Sequence, residues 1–292
     1  MKLRRNILGT FVITVIAMIG IILIVLYPRN AVNVRMNNTG IEPPTTMELY
    51  IENIKNFFHE MFVNHSLGRS RDALIPTGEA VMSAMGRSIV IILLALVIGV
   101  VVGTLKGVMD YKLSKTKFNL LGNWSTWLVQ SIPDFMLILI IQWIVIRYVR
   151  WIPFFPKGHW TDFIVPTILV SIYPVIYMAR ITSASIAMQE GQMYIQVARA
   201  KGITERLILF KHILKNSMST LLTHILPLFG YILSNLLFVE IFTNYPGAAS
   251  RLYMAISYFE PGVIIGISFC FMVLLFIFQV ISQIAKHKLD PR

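Results

Sequence analysis

The histidines, carboxylates and single cysteine of this chain do not assemble into a hydrolytic or metal-binding pattern. His59-Glu60 begins like the zinc motif H-E-x-x-H, but the next histidine is His65. Positions i and i+6 fall on different helix faces and cannot share one tetrahedral zinc ion. No G-x-S-x-G element holds a nucleophilic serine, and no Cys/His cluster offers ligands. Cys270 lies in an apolar run, excludes an intrachain disulfide and reads as a small core residue. Without a G-x-x-x-x-G-K-[ST] loop the chain has no phosphate loop of its own for ATP. Catalysis is not expected of it.

What remains is a basic segment, Arg180 to Ser217, which contains Tyr194-Ile195-Gln196-Val197-Ala198-Arg199-Ala200-Lys201-Gly202-Ile203-Thr204-Glu205-Arg206. It reads as two short helices broken at Gly202. Glycine supplies the left-handed turn that ends the first, and Thr204 with Glu205 suits the start of the second. Ala198 and Ala200 keep the first helix slim, and Arg199, Lys201 and Arg206 make its surroundings basic. Such a hairpin is shaped to enter a cleft on a soluble partner, although a basic cytoplasmic loop is also what membrane orientation alone produces.

The elements that carry this segment are membrane spans. A hydrophobic share of 56% with 14% charged residues is too apolar for an ordinary soluble domain, where about a quarter is charged. Six stretches suffice to cross a hydrocarbon core: Ile7 to Tyr27, Ser88 to Leu105, Leu121 to Ile146, Phe163 to Ala179, Leu221 to Val239 and Val263 to Ala285. The first continues to Tyr27-Pro28-Arg29 without an A-x-A site, so it is expected to be an uncleaved anchor and not a signal peptide. The net charge of +12 is spread over the loops instead of forming one stripe, which argues against nucleic acid as a partner. Among short loops the Lys and Arg excess places both termini in the cytoplasm.

Between the first two spans, Thr45-Thr46-Met47-Glu48 fits a capping box. Met47, Tyr50, Ile51, Ile54, Phe58, Met61 and Phe62 then recur at helical spacing. This external amphipathic helix either lies on the membrane surface or packs on the outer mouth of the spans. Gly99, Gly103 and Gly107 form a ridge that lets a second helix approach closely. Pro133, Pro166, Pro174 and Pro227 interrupt later spans, and each frees a carbonyl that in lipid needs a partner. Asp134, the charged residue inside an expected span, costs about 2.5 to 3.5 kcal/mol there unless paired or hydrated, so it is expected to face the interior. His224 reads as a polar contact between helices.

The run Ala198-Arg199-Ala200-Lys201-Gly202, followed by Lys211-His212-Ile213-Leu214-Lys215-Asn216, resembles the cytoplasmic loop of permeases in the dipeptide and oligopeptide branch of ATP-binding-cassette importers. Further likenesses follow in order: Ser66-Leu67-Gly68-Arg69-Ser70, Ser131-Ile132-Pro133-Asp134-Phe135, Glu240-Ile241-Phe242 with Tyr245-Pro246-Gly247, and Leu289-Asp290-Pro291-Arg292. The sequence departs from that pattern at Met193, where an acidic residue is usual, at Tyr-Pro-Gly-Ala-Ala for the commoner Trp-Pro-Gly-x-Gly, and before Pro261, where the usual Asp is replaced by Glu260 or absent.

The resemblance implies an all-α polytopic fold of six transmembrane helices in a type I importer bundle, of the first-permease type. It implies as partners a second permease, two ATPase subunits that bind ATP and Mg, and an external solute-binding protein, with no cofactor in this chain. The coupling loop would comprise Glu190, Tyr194, Ala198, Arg199, Ala200, Lys201, Gly202, Arg206 and Lys211. Pro133, Asp134 and Glu240 become candidates for the translocation path; Asp134 would touch a peptide amine or bond backbone freed by Pro133, and Glu240 would pair an external arginine or help form an outer gate. The expected organisation is an anchor at 1–27, an external segment at 28–87, a core at 88–285 containing the loop 180–217, and a cytoplasmic tail at 286–292. The competing class is an ion- or proton-coupled secondary transporter, which would work without ATPase partners.

Overall fold

The computed structural model describes residues 2–28, 45–68, 75–114, 116, 119–149 and 151–289. Arg69, Ser70 and Asp290–Arg292, which carry part of the resemblance, lie outside the described residues. Among the described residues the regular elements are helices: α1 (Lys2–Leu26), α2 (Thr46–Phe62), α3 (Thr77–Ser114), α4 (Ser125–Gln130), α5 (Asp134–Tyr148), α6 (Ile164–Glu190), α7 (Met193–Ala200), α8 (Glu205–Leu207), α9 (Leu214–Thr223), α10 (Ile225–Phe242), α11 (Ala248–Tyr258) and α12 (Pro261–Leu289). Five helices are long and apolar enough to cross a membrane: Arg4–Leu26, Thr77–Ser114, Trp160–Glu190, Ile225–Phe242 and Pro261–Ala285. The sixth expected crossing is a broken pair, Gly122–Gln130 and Asp134–Tyr148, bent by 102°. The fold is that of an all-α polytopic membrane protein.

The chain forms two compact units, Lys2–Gly86 with Gly247–Phe276, and Arg87–Pro246 with Ile277–Arg292. In the first, α1 shows Leu8, Phe11, Ile13, Ile16 and Ile24 on its surface, as a lipid-facing anchor must. The capping box of α2 forms as expected: Glu48 N–H donates to Thr45 Oγ1, and Thr45 N–H donates to Glu48 Oε2. The apolar stripe of α2 divides in two. Tyr50, Ile54 and Phe57 pack on Ile22, Leu26 and Ile265, while Met47, Ile51, Phe58 and Phe62 stay exposed. Tyr50 Oη donates to Leu23 O at 2.9 Å and Asn53 Nδ2 to Leu26 O at 3.2 Å, satisfying carbonyls at the end of α1. Packing against a span therefore accounts for one edge of the stripe. A Cβ at Gly262 would stand 1.9 Å from Leu67 O, so only glycine admits this backbone crossing.

In the second unit α3 and α6 cross closely. A Cβ on Gly99 would meet Pro174 Cβ at 2.8 Å, one on Gly103 would meet Met178 Cβ at 2.7 Å, and one on Gly107 would meet Ala179 O at 2.5 Å. The three glycines thus form a contact surface for α6, as their spacing predicts. Two helices run well past the expected ends of their spans. Helix α3 continues nine residues past Leu105, and α6 runs on through Arg180 to Glu190, so the first part of the expected loop is helical. Apolar runs mark where lipid ends; hydrogen-bonded helix continues wherever its polar residues find partners.

Candidate functional site

The hairpin after α6 is built from local signals. Helix α7 ends in a glycine turn: Gly202 has φ +74°, its N–H donates to Arg199 O at 2.9 Å, and Ile203 N–H donates to Ala198 O at 3.2 Å. Thr204 then takes extended geometry and starts α8, although its side chain makes no capping bond. One face of the hairpin is anchored. Ile195 and Ala198 are buried against Val108, Ile186, Ile208, Leu209 and Ile213. The small Ala198 side chain lets α7 lie close on that cluster.

Arg199 ties the two arms together. Its Nε donates to Glu205 Oε1 at 2.7 Å, and its Nη2 donates to Glu205 Oε2 at 3.2 Å and to Glu190 Oε1 at 3.2 Å. A planar guanidinium suits this fork geometry, and the two carboxylates raise its pKa further. Glu190, the last residue of α6, is thereby linked to the first residue of α8. Tyr194 Oη donates to Gln189 Oε1 at 2.7 Å. Ala200, Lys201, Arg206 and Lys211 are exposed, as are Met193, Val197, Leu207 and Phe210. The hairpin thus presents apolar side chains beside free-standing cations on a face held rigid from behind.

The break in the third span lies at Ser131–Pro133. Pro133 lacks an N–H, and the hydroxyl of Tyr173 on α6 donates to Ile132 O, with Val129 O at 3.5 Å. Carbonyls at the proline break therefore find a tyrosine. Asp134 is not in mid-helix: it occupies the first turn of α5 and accepts from Phe135 N–H at 3.0 Å. Its charge sits at a helix N-terminus, where it is favoured, and it is partly exposed instead of sequestered in the interior.

Glu240 is the other carboxylate among the path candidates. It lies inside α10 and is fully buried, accepting a bond from Ser88 Oγ. Its carbonyl accepts from Tyr245 N–H at 2.8 Å, and Arg87 Nε donates to Pro246 O at 2.6 Å. Burial and the nearby Glu240 carboxylate push the Tyr245 phenol up, with Arg87 opposing. The Tyr245-Pro246 turn is therefore fastened to α3 and α10. His224 bonds Tyr177 Oη through Nδ1 at 2.7 Å, a contact between helices as expected.

One cluster escaped the sequence reading. Asp110 on α3 is fully buried, ion-paired with Lys106, and accepts from Thr126 Oγ1 at 2.5 Å. Lys106 Nζ also reaches Ser125 Oγ at 3.1 Å and Gly122 O at 3.4 Å. The pair fastens the first arm of the broken span to α3. Its only sequence signal is the i, i+4 spacing of Lys106 and Asp110 just beyond an apolar run. Among the described residues no group of three metal-ligating side chains occurs.

Several membrane helices, one of them broken and fastened by polar side chains, and a hairpin packed on α3 and α6 define a polytopic membrane protein. The model of the binding-protein-dependent transport system inner membrane component matches residues 95–292, and the chain belongs to that family. It is 27% identical over 202 residues to the dipeptide transport system permease protein of Lactococcus lactis subsp. cremoris, covering 68% of this chain and 65% of that protein. It is 30% identical over 166 residues to the dipeptide transport system permease protein of Bacillus subtilis, covering 56% of this chain and 53% of the relative. A putative peptide transport system permease protein of Brucella suis is 27% identical over 262 residues, 87% of this chain and 81% of its own length. The chain thus spans less than two thirds of the length of the first two relatives.

Proposed function

We propose that this chain is the membrane-spanning permease subunit of an ATP-driven importer for peptides or peptide-like solutes. Its partners are a second related permease, two ATPase subunits that bind ATP and Mg, and an external solute-binding protein, with both termini of this chain in the cytoplasm of a bacterial or archaeal cell. The carrying observation is the hairpin. Its buried side is locked to α3 and α6, Arg199 ties its arms, and Met193, Val197, Leu207 and Phe210 stand exposed beside Lys201 and Arg206. A rigid knob with an apolar tip and a basic rim suits a cleft on a soluble motor, because a displacement applied to it passes into α6 through Glu190 without being lost in bending. The peptide assignment rests on the names of the relatives. In this reading Pro133, Asp134 and Glu240 border the path that the solute takes.

Reconstitution in proteoliposomes tests the proposal. With the three kinds of partner present, ATP drives accumulation of a labelled dipeptide; Arg199→Gln and Gly202→Pro hydrolyse ATP with little or no uptake. Proline fixes φ near −65°, against the +74° that Gly202 adopts, so the turn cannot close. Full uptake by Gly202→Pro, or accumulation by this chain alone under an ion gradient, refutes the coupling role.

A further inference from the structure

Between α3, α4 and α6 lies a cavity of ≈ 590 Å³. One wall is a single face of α6 that begins at Arg180 and ends at Glu190, positions spaced for one stripe of a helix. The opposite wall carries the neutral polar groups of Asn123, Thr126, Gln130 and Ser131. Arg180 Nη1 donates to the uncharged Gln130 Oε1 at 3.2 Å, and among the described residues no carboxylate pairs with it. The cavity therefore has a cation at one end, an anion at the other, and between them hydroxyls and amides beside the apolar Trp127, Ala184 and Ala187.

We infer that this cavity binds the zwitterion of a short peptide, with its carboxylate on Arg180 and its ammonium on Glu190. Ten residues of helix separate the two charges by about 15 Å along the axis. Their side chains close part of that gap, and an extended chain of three residues covers about 10 Å. The guanidinium fork matches a carboxylate. Peptide amides find donors and acceptors in Asn123 and Gln130. A phospholipid would satisfy Arg180 through its phosphate, but one headgroup does not also reach Glu190, ten helix residues away. Glu190 already holds Arg199, so a bound ammonium competes with the hairpin clamp, and occupancy loosens the tie between α6 and α8. The inference rests on the reading of the chain as a permease for peptide-like solutes, and it places an internal site next to the coupling element.

Equilibrium binding to the full chain in phosphatidylcholine nanodiscs tests it, with labelled trialanine, N-acetyl-trialanine and trialanine amide as probes. Free trialanine binds about tenfold more tightly than either blocked form, each blocked end removing one charge-assisted contact. Arg180→Gln weakens trialanine about tenfold and leaves the amide unchanged; Glu190→Gln weakens trialanine similarly and leaves the N-acetyl form unchanged. Equal binding of the three forms to the unaltered chain overturns the inference without recourse to any variant. Displacement of trialanine by phosphatidylglycerol, with sensitivity to Arg180→Gln alone, overturns it in favour of lipid. ATP-driven uptake by the assembled transporter in the absence of any such binding refutes the cavity and leaves the proposed function standing. Charge-selective binding without ATP-driven uptake does the reverse.

Discussion

Replacing each glycine of the α3 ridge by alanine gives a graded loss of stability set by the distances across the α3–α6 crossing. The added Cβ would lie 2.5 Å from both Ala179 O and Thr182 Cβ at position 107, 2.7 Å from Met178 Cβ at position 103, and 2.8 Å from Pro174 Cβ at position 99. Ordinary contacts begin near 3.4 Å, so Gly107→Ala forces α6 back by roughly 1 Å or strains both backbones. Overpacking of this kind costs about 1–3 kcal/mol. Alanine returns up to about 1 kcal/mol of helix propensity. The obstacle at position 107 includes a backbone oxygen, which no rotamer change can remove, so the upper half of the overpacking range applies and the net loss is about 1–2 kcal/mol. Gly86, in the same helix, has nothing within 4 Å of its added Cβ, so Gly86→Ala keeps the propensity gain alone. Reversible unfolding of the purified chain by dodecyl sulfate titration in mixed micelles reads these differences. The expected order of stability is Gly86→Ala, then Gly99→Ala, Gly103→Ala and Gly107→Ala. Equal stability of Gly86→Ala and Gly107→Ala refutes the close crossing and the argument built on it.

Two further substitutions address the broken span, read by the same titration. Tyr173→Phe leaves Ile132 O without its hydroxyl donor and costs about 1–2 kcal/mol. Asp110→Asn leaves the Lys106 ammonium without its buried carboxylate and costs about 3 kcal/mol, whereas Lys106→Met combined with Asp110→Leu costs less because no charge is stranded.

Local patterns were legible in the sequence because their partners lie within a few residues. The capping box of α2, the left-handed turn at Gly202 and the α3 glycine ridge each follow from spacing and residue type, and each stands where expected. The misreadings involve groups whose partners are distant in sequence. Lys106 and Asp110 looked like a loop because the apolar run stops before them; helix α3 continues because they neutralise each other and because Thr126 and Ser125, sixteen and more residues on, complete the cluster. Glu240 follows the end of an expected span, and its position alone does not show that it is buried. It is buried because Ser88, 152 residues earlier, offers it a hydroxyl. Asp134 looked like a mid-span charge because the apolar pattern runs through Ser131–Pro133 without a pause, and apolarity does not record a 102° bend.

The buried polar contacts fall where the helical ladder is interrupted or a charge must leave water, and that placement bears on how the bundle could move. A proline break in lipid is tolerated only when a neighbour takes up the carbonyls it frees, and here the neighbour is Tyr173 on α6. The same helix carries Arg180 beside the cavity and ends at Glu190 in the grip of Arg199. The hairpin packs on α6 through Ile186 and on α3 through Val108, and α6 touches the broken span directly through Tyr173–Ile132 and Arg180–Gln130. Displacing α6 along its axis must exchange or break those two contacts, whereas the Lys106–Asp110–Thr126 clamp ties the same arm to α3 and resists its following. The break between α4 and α5 is consequently the point at which any motion of α6 relative to α3 is taken up, and the polar bonds around it set the cost of that motion.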